Sequence, residues 1–145
     1  MNREPCIVGV ADFPLENKGR AQVGYSELSI QKYCAEKALS QSGLKMSDVD
    51  GIAVAGMWGL PGPGLMQPNV MVEYLGIKYP NWLEGTNIGG STFLLHVNHA
   101  YQAISSGLCD TVLILYGSLQ KTNMSRNLGD RPASLSTQFE VVSGL

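Results

Sequence analysis

The sequence predicts an α/β fold, on three observations. Short runs of β-branched and apolar residues alternate with helical segments, the arrangement of a mostly parallel sheet with crossover helices. Glycines stand where each helical pattern stops, as helix C-caps do. Apolar residues make up 44% of a chain of 145 residues, enough for the core of one domain.

Residues 6–11, Cys-Ile-Val-Gly-Val-Ala, read as a first strand, and residues 12–25 as a loop carrying Pro14, Asn17, Gly19 and Gly24. Ser26 is placed to cap a helix running to about Ser42, with Leu28, Ala35, Ala38 and Leu39 inward and Gly43 as terminator. Residues 46–50 connect to a buried strand over 51–56. Residues 57–64 hold too much glycine and proline for regular structure. Pro68 suits the first turn of a helix that carries Val70, Met71, Tyr74 and Leu75 and stops at Gly76. Residues 82–88 form a third strand, weakened by Gly85. Gly89-Gly90-Ser91 then turns into the longest helix, from about Thr92 to Ser106, ended by Gly107. Residues 111–116, Thr-Val-Leu-Ile-Leu-Tyr, are the clearest strand.

The order Ser42-Gly43-Leu44, Asp50, strand returns as Ser106-Gly107-Leu108, Asp110, strand. With no fixed period, this is one βα unit used twice and not a solenoid repeat. The long helix carries a stripe of Phe93, Val97, Ala100, Ile104 and Leu108, with Leu94, Leu95 and Tyr101 outside it. A helix apolar around so much of its circumference is expected inside a larger protein. After Ser118 the pattern dissolves, and the chain reaches Leu145 without a closing element, as if cut short.

Net charge is −2, from ten basic and twelve acidic side chains without a run of either sign. Nucleic acid is therefore not the expected partner, since phosphate binding needs a concentrated basic face. Cys6, Cys34 and Cys109 are widely spaced, as expected of reduced thiols in a cytoplasmic protein. No signal-peptide pattern opens the chain, and no stretch approaches the roughly 18 apolar residues of a membrane span.

The best functional candidate is the junction Thr86-Asn87-Ile88-Gly89-Gly90-Ser91-Thr92. A glycine-rich turn feeding a helix exposes N–H groups beside the positive end of the helix dipole, a site for an oxyanion, phosphate or thioester carbonyl. The plain alternative is that the glycines only let strand and helix pack closely. His96 and His99, three apart, could share a metal, but helical histidines more often simply hydrogen-bond. Trp58 suits core or interface packing better than an acyl channel, and Asp12 and Glu16 suit solvated loop positions better than a pocket.

Asn87-Ile88-Gly89-Gly90-Ser91, the helix with Ala100, Ala103 and Ile104, Ser106 to Asp110 and Leu113 to Gly117 follow one another in an order that resembles the N-terminal half of thiolases. The likeness extends to Ile7 to Ala11 and Val49 to Ile52, and so covers about residues 5–117. It points to the sterol-carrier-protein-type branch, often called lipid-transfer protein or acetyl-CoA acetyltransferase. It implies half of a layered αβαβα architecture, with a mixed five-strand sheet and helices on both faces. Residues 1–117 would be the thiolase-like domain and 118–145 the start of a loop region.

Where thiolases have Asn-x-Cys-x-Ser-Gly, this chain aligns Asn87 and Ser91 with the asparagine and serine and puts Gly89 at the nucleophilic cysteine. Glycine excludes covalent acyl-enzyme chemistry there. The resemblance then implies no catalytic residue in this half, a substrate-binding set of Asn87, Gly89, Gly90 and Ser91, and no cofactor beyond a coenzyme A thioester as substrate. It implies carbon–carbon bond cleavage or formation on an acyl-CoA in lipid or steroid metabolism, by a homodimer or with a small zinc-ribbon and OB-fold partner. Acid–base residues would lie in a C-terminal half. The alternatives are a non-catalytic lipid-transfer or scaffold subunit, and an active acetyl-CoA acetyltransferase whose cysteine lies elsewhere.

Overall fold

A computed structural model describes residues 3–14, 24–55 and 67–119. Within them, α1 (Glu27–Ser42), β1 (Gly51–Val54), α2 (Gln67–Leu75), β2 (Trp82–Glu84), α3 (Thr92–Ser105) and β3 (Val112–Leu115) follow in chain order. Single 3-10 turns occupy Met46–Asp48 and Gly89–Ser91. The glycine–proline loop with Trp58, most of the first loop with Glu16, and all of 118–145 beyond Leu119 lie outside the described residues.

Local chemistry sets the ends of α1. Ser26 Oγ accepts from the Ser29 amide at 3.1 Å and Ser29 Oγ accepts from the Ser26 amide at 2.9 Å, a reciprocal capping box. Gly43 closes the helix at φ 71, and the Leu44 amide returns to the Leu39 carbonyl at 3.1 Å.

The three strands are parallel in the order β2-β1-β3, with Gly51 opposite both Trp82 and Val112. β1 is central and buried on all four residues. On one face Ile52, Val54, Leu113 and Leu115 pack with Ala35 and Leu39 of α1 and Met71 and Leu75 of α2. The opposite face receives α3, whose Ala100 and Ala103 are buried. Ile52, Val54 and Met71 are wholly buried, each contributing about 1.5–3 kcal/mol of transfer free energy.

Asp50 ties the start of the sheet together. Its carboxylate accepts from the amides of Asp110 and Thr111 at 2.9 and 2.8 Å and from Asn81 Nδ2 at 3.1 Å. Its carbonyl accepts from the Asn81 and Trp82 amides, and its own amide donates to Thr111. The acidic residue that precedes the buried strand is thus a crosslink among all three strands.

Two expectations about the strands differ from what the described residues show. The described residues hold a three-strand parallel sheet, not a mixed five-strand one. Residues 6–11 form no strand: Gln41 takes both the amide and the carbonyl of Val10, Arg3 pairs with Asp110, and Ile7 and Val10 are exposed. A Cβ at Gly9 would collide with the Ala38 carbonyl, so glycine is needed for that approach to α1. Between this segment and β3 lies an apolar cavity of about 520 Å³. α3 leaves exposed the apolar residues that are expected to be covered inside a larger protein. Thr92, His96, Ala100 and Ala103 are buried, whereas Leu94, Val97 and Tyr101 are exposed, because only one face of the helix meets the sheet.

Candidate functional site at the N-terminus of α3

β2 ends three residues into the predicted strand 82–88 because a side chain diverts the backbone. Glu84 Oε1 accepts the Thr86 amide at 2.7 Å, and His96 Nε2 donates to the Thr86 carbonyl at 2.9 Å. Beyond it, the buried Thr92 hydroxyl accepts from the Ile88 amide at 2.9 Å and donates to the Gly89 carbonyl at 2.6 Å. The Gly89 amide donates to Asn87 Oδ1 at 3.1 Å.

The backbone at Gly89 has φ +81, and a Cβ built there meets nothing within 4 Å. Position 89 is thus a sharp left-handed elbow whose side-chain direction opens into free space. Positive φ falls on Gly89 and not on Gly90. The four predicted residues Asn87, Gly89, Gly90 and Ser91 come together on this one exposed turn. The first amides of a helical turn have no partner within it; Asn87 takes that of Gly89, which leaves the Gly90 amide as the donor the turn offers. Ser91 makes no capping bond. The turn offers donors at the positive end of a helix and no thiol.

No described cysteine reaches it. Cys109 is buried below the opposite end of the sheet, and burial first, then Asp50 and Asp110, push its thiol up to about 11. Burial, followed by Asp12, raises Cys34. Both shifts favour the unreactive thiol form.

The two histidines turn to different partners. His96 turns to the Thr86 carbonyl, while His99 Nδ1 donates to Glu84 Oε2 at 2.9 Å. No group of three metal-binding side chains occurs among the described residues. Burial tends to raise Glu84, but hydrogen bonds from Thr86 and the hydrogen bond and charge of His99 outweigh it and bring the carboxyl down to about 2. A carboxylate with a depressed folded-state pKa stabilises the fold above its unfolded value near 4.5, and that contribution disappears as pH falls towards about 2. The gap in thermal stability between the unaltered chain and Glu84→Gln should therefore narrow steadily across that window. A gap independent of pH would show that the carboxylate is not held in this way.

Sequence inspection missed Glu84, and it placed Thr92 in the junction without its bonds to the turn. The one available signal was Thr92 at the helix start, a residue type able to bond the preceding turn. Nothing local marks Glu84, which meets His99 only after strand and helix pack.

No family model matches the chain, and no curated protein matches it by sequence. Solved structures do. The Ltp2-ChsH2(DUF35) aldolase superposes with a TM-score of 0.63 at 19% identity, over 92% of this chain and 30% of that one. An acetyl-CoA acetyltransferase from Syntrophomonas wolfei gives 0.61 at 18% identity, over 90% of this chain and 34% of the other. The 3-oxoacyl-[acyl-carrier-protein] synthase III of Aquifex aeolicus VF5 gives 0.58 at 17%, over 68% and 31%. The fold is thiolase-like. The chain spans about a third of the length of these relatives in fold. No helix of the described residues is long and apolar enough to cross a membrane.

Proposed function

We propose that this chain binds an acyl-CoA thioester at the turn formed by Asn87, Gly89, Gly90 and Ser91, without forming an acyl-enzyme. The observation that carries this is the open left-handed elbow at Gly89, next to the Gly90 amide at the start of α3. The thioester carbonyl accepts from that amide, and the space where a nucleophile's side chain would stand admits the acyl carbon. Asn87 serves chiefly to hold the turn, since its Oδ1 takes the Gly89 amide. No cofactor beyond coenzyme A is involved.

Carbon–carbon bond cleavage or formation on the thioester, in lipid or steroid metabolism, fits a carbonyl-polarising site that has no thiol of its own. Aldol-type chemistry agrees best with the aldolase among the structural relatives, an assembly that pairs two proteins. By the same analogy the working unit would be a cytoplasmic homodimer or a complex with a small partner. A non-catalytic lipid-transfer or scaffold role uses the same binding turn. An active acetyltransferase is the weaker reading, because no described cysteine lies at the elbow.

The test is Gly89→Val, with calorimetric titration of acetyl-CoA. A β-branched side chain projects into the acyl space and is strained at positive φ. Losing a hydrogen bond to a neutral carbonyl costs about 0.5–1.5 kcal/mol, and the intruding side chain adds to it, so affinity should fall about tenfold or more. Unchanged affinity in a folded variant would mean that the glycines serve packing alone.

A further inference from the structure

We propose that Glu84, His96 and His99 are positioning residues: they latch the backbone between β2 and α3 and so hold the turn 87–91 in the form that presents the Gly90 amide. This rests on the acyl-thioester reading for what the turn binds, but not for the latch itself.

The segment from Glu84 to Thr92 belongs to no long element. It runs from the end of β2 through three exposed residues, Asn87, Ile88 and Gly89, to a 3-10 turn. A stretch so short of regular hydrogen bonds is free to open locally unless side chains hold it. Two turns of α3 supply those side chains. His96, wholly buried, donates Nε2–H to the Thr86 carbonyl. Its Nδ1 is buried without a partner, which suits the neutral ring with the lone pair there and the proton on Nε2. One turn later His99 donates Nδ1–H to Glu84 Oε2, and the other oxygen of Glu84 holds the Thr86 amide. Both polar groups of the Thr86 peptide are thereby fixed, one directly and one through the carboxylate. Thr92, one turn earlier on the same buried face, holds Ile88 and Gly89. Positions 92, 96 and 99 form one helical stripe, and it faces the turn. A buried histidine is an expensive choice where a leucine would pack; the Thr86 carbonyl explains it.

Two substitutions at His99 and one at His96 separate latch from bulk. Asn places Nδ2 near the site of an imidazole Nδ1, and Gln places Nε2 near that of Nε2. His99→Asn and His96→Gln therefore keep the donor, whereas His99→Leu removes it. His99 is only half-buried, so His99→Leu is expected to fold. On the full chain, amide hydrogen exchange is followed at Thr86, Ile88 and Gly89, with β1 as the internal reference, and acetyl-CoA affinity is titrated in parallel. His99→Leu should speed exchange at these amides about tenfold with β1 unchanged, His99→Asn should restore protection, and His96→Gln should retain it. Acetyl-CoA affinity should fall in His99→Leu and recover in His99→Asn. Exchange unaltered by His99→Leu overturns the latch. Faster exchange with acetyl-CoA affinity unchanged overturns the positioning role. If acetyl-CoA does not bind the unaltered chain, the thioester reading fails, and exchange alone decides the latch.

Discussion

Asp50→Ala should lower the stability of the fold by about 3 kcal/mol, the largest effect expected of any polar substitution here. The carboxylate holds the amides of Asp110 and Thr111, both at the mouth of β3, and the side-chain amide of Asn81 before β2. Charge-assisted bonds of this kind contribute about 1.5–3 kcal/mol each, reduced where water can replace the acceptor. Asp50 is half-buried, so some replacement occurs, and the sum is held below three full bonds. Asp50→Asn keeps one acceptor oxygen and should lose roughly half as much. Thermal denaturation monitored by circular dichroism checks both. A midpoint for Asp50→Ala within about 2 °C of the unaltered chain would mean that the ladder alone orders the strands.

Gly89→Cys should create a thiol that reacts faster than any the chain now has. The side-chain direction at 89 is open, and the elbow sits at the positive end of α3. Cysteines at helix N-termini ionise at about pH 3.5–7.5 in place of about 8.5. At pH 6 the thiolate fraction therefore rises many-fold, and lower intrinsic nucleophilicity gives back only part of the gain. Alkylation by iodoacetamide should run about tenfold faster than at the exposed Cys6. The substitution has a cost, since a side chain at φ +81 is strained by about 1–2 kcal/mol. Alkylation no faster than at Cys6, in a folded variant, would mean that the helix end does not bias this position.

The parts of the fold that read directly from sequence are those decided within a few residues. Ser26 and Gly43 bracket α1 because a capping box and a left-handed C-cap need only neighbours along the chain. Residues 6–11 show why the same logic stops at strands. Their β-branched pattern is real, but a strand also needs a hydrogen-bonding neighbour, and Gln41 claims Val10 instead. Likewise, 82–88 has strand composition, yet Glu84 folds back on Thr86 and ends the ladder.

The candidate turn was legible in the sequence, but its internal bonding was not. Two glycines before a long helix marked the turn, and resemblance singled out Gly89. Which glycine adopts positive φ, and which amide the turn offers, depend on Asn87 and Thr92 side chains bonding back to the turn. His96 and His99 suggested a metal by spacing alone. Their partners, Thr86 and Glu84, lie 10 and 15 residues away and meet them only through strand–helix packing.

Thioester recognition without covalent capture is tested most directly by incubating the unaltered chain with acetyl-CoA and measuring intact mass, native and denatured. The expected native spectrum shows bound acetyl-CoA, and the denatured spectrum shows the bare chain with no acetyl increment on any cysteine. A stable acetyl adduct on the denatured chain would contradict the account, because it would place a working nucleophile where Gly89 leaves none.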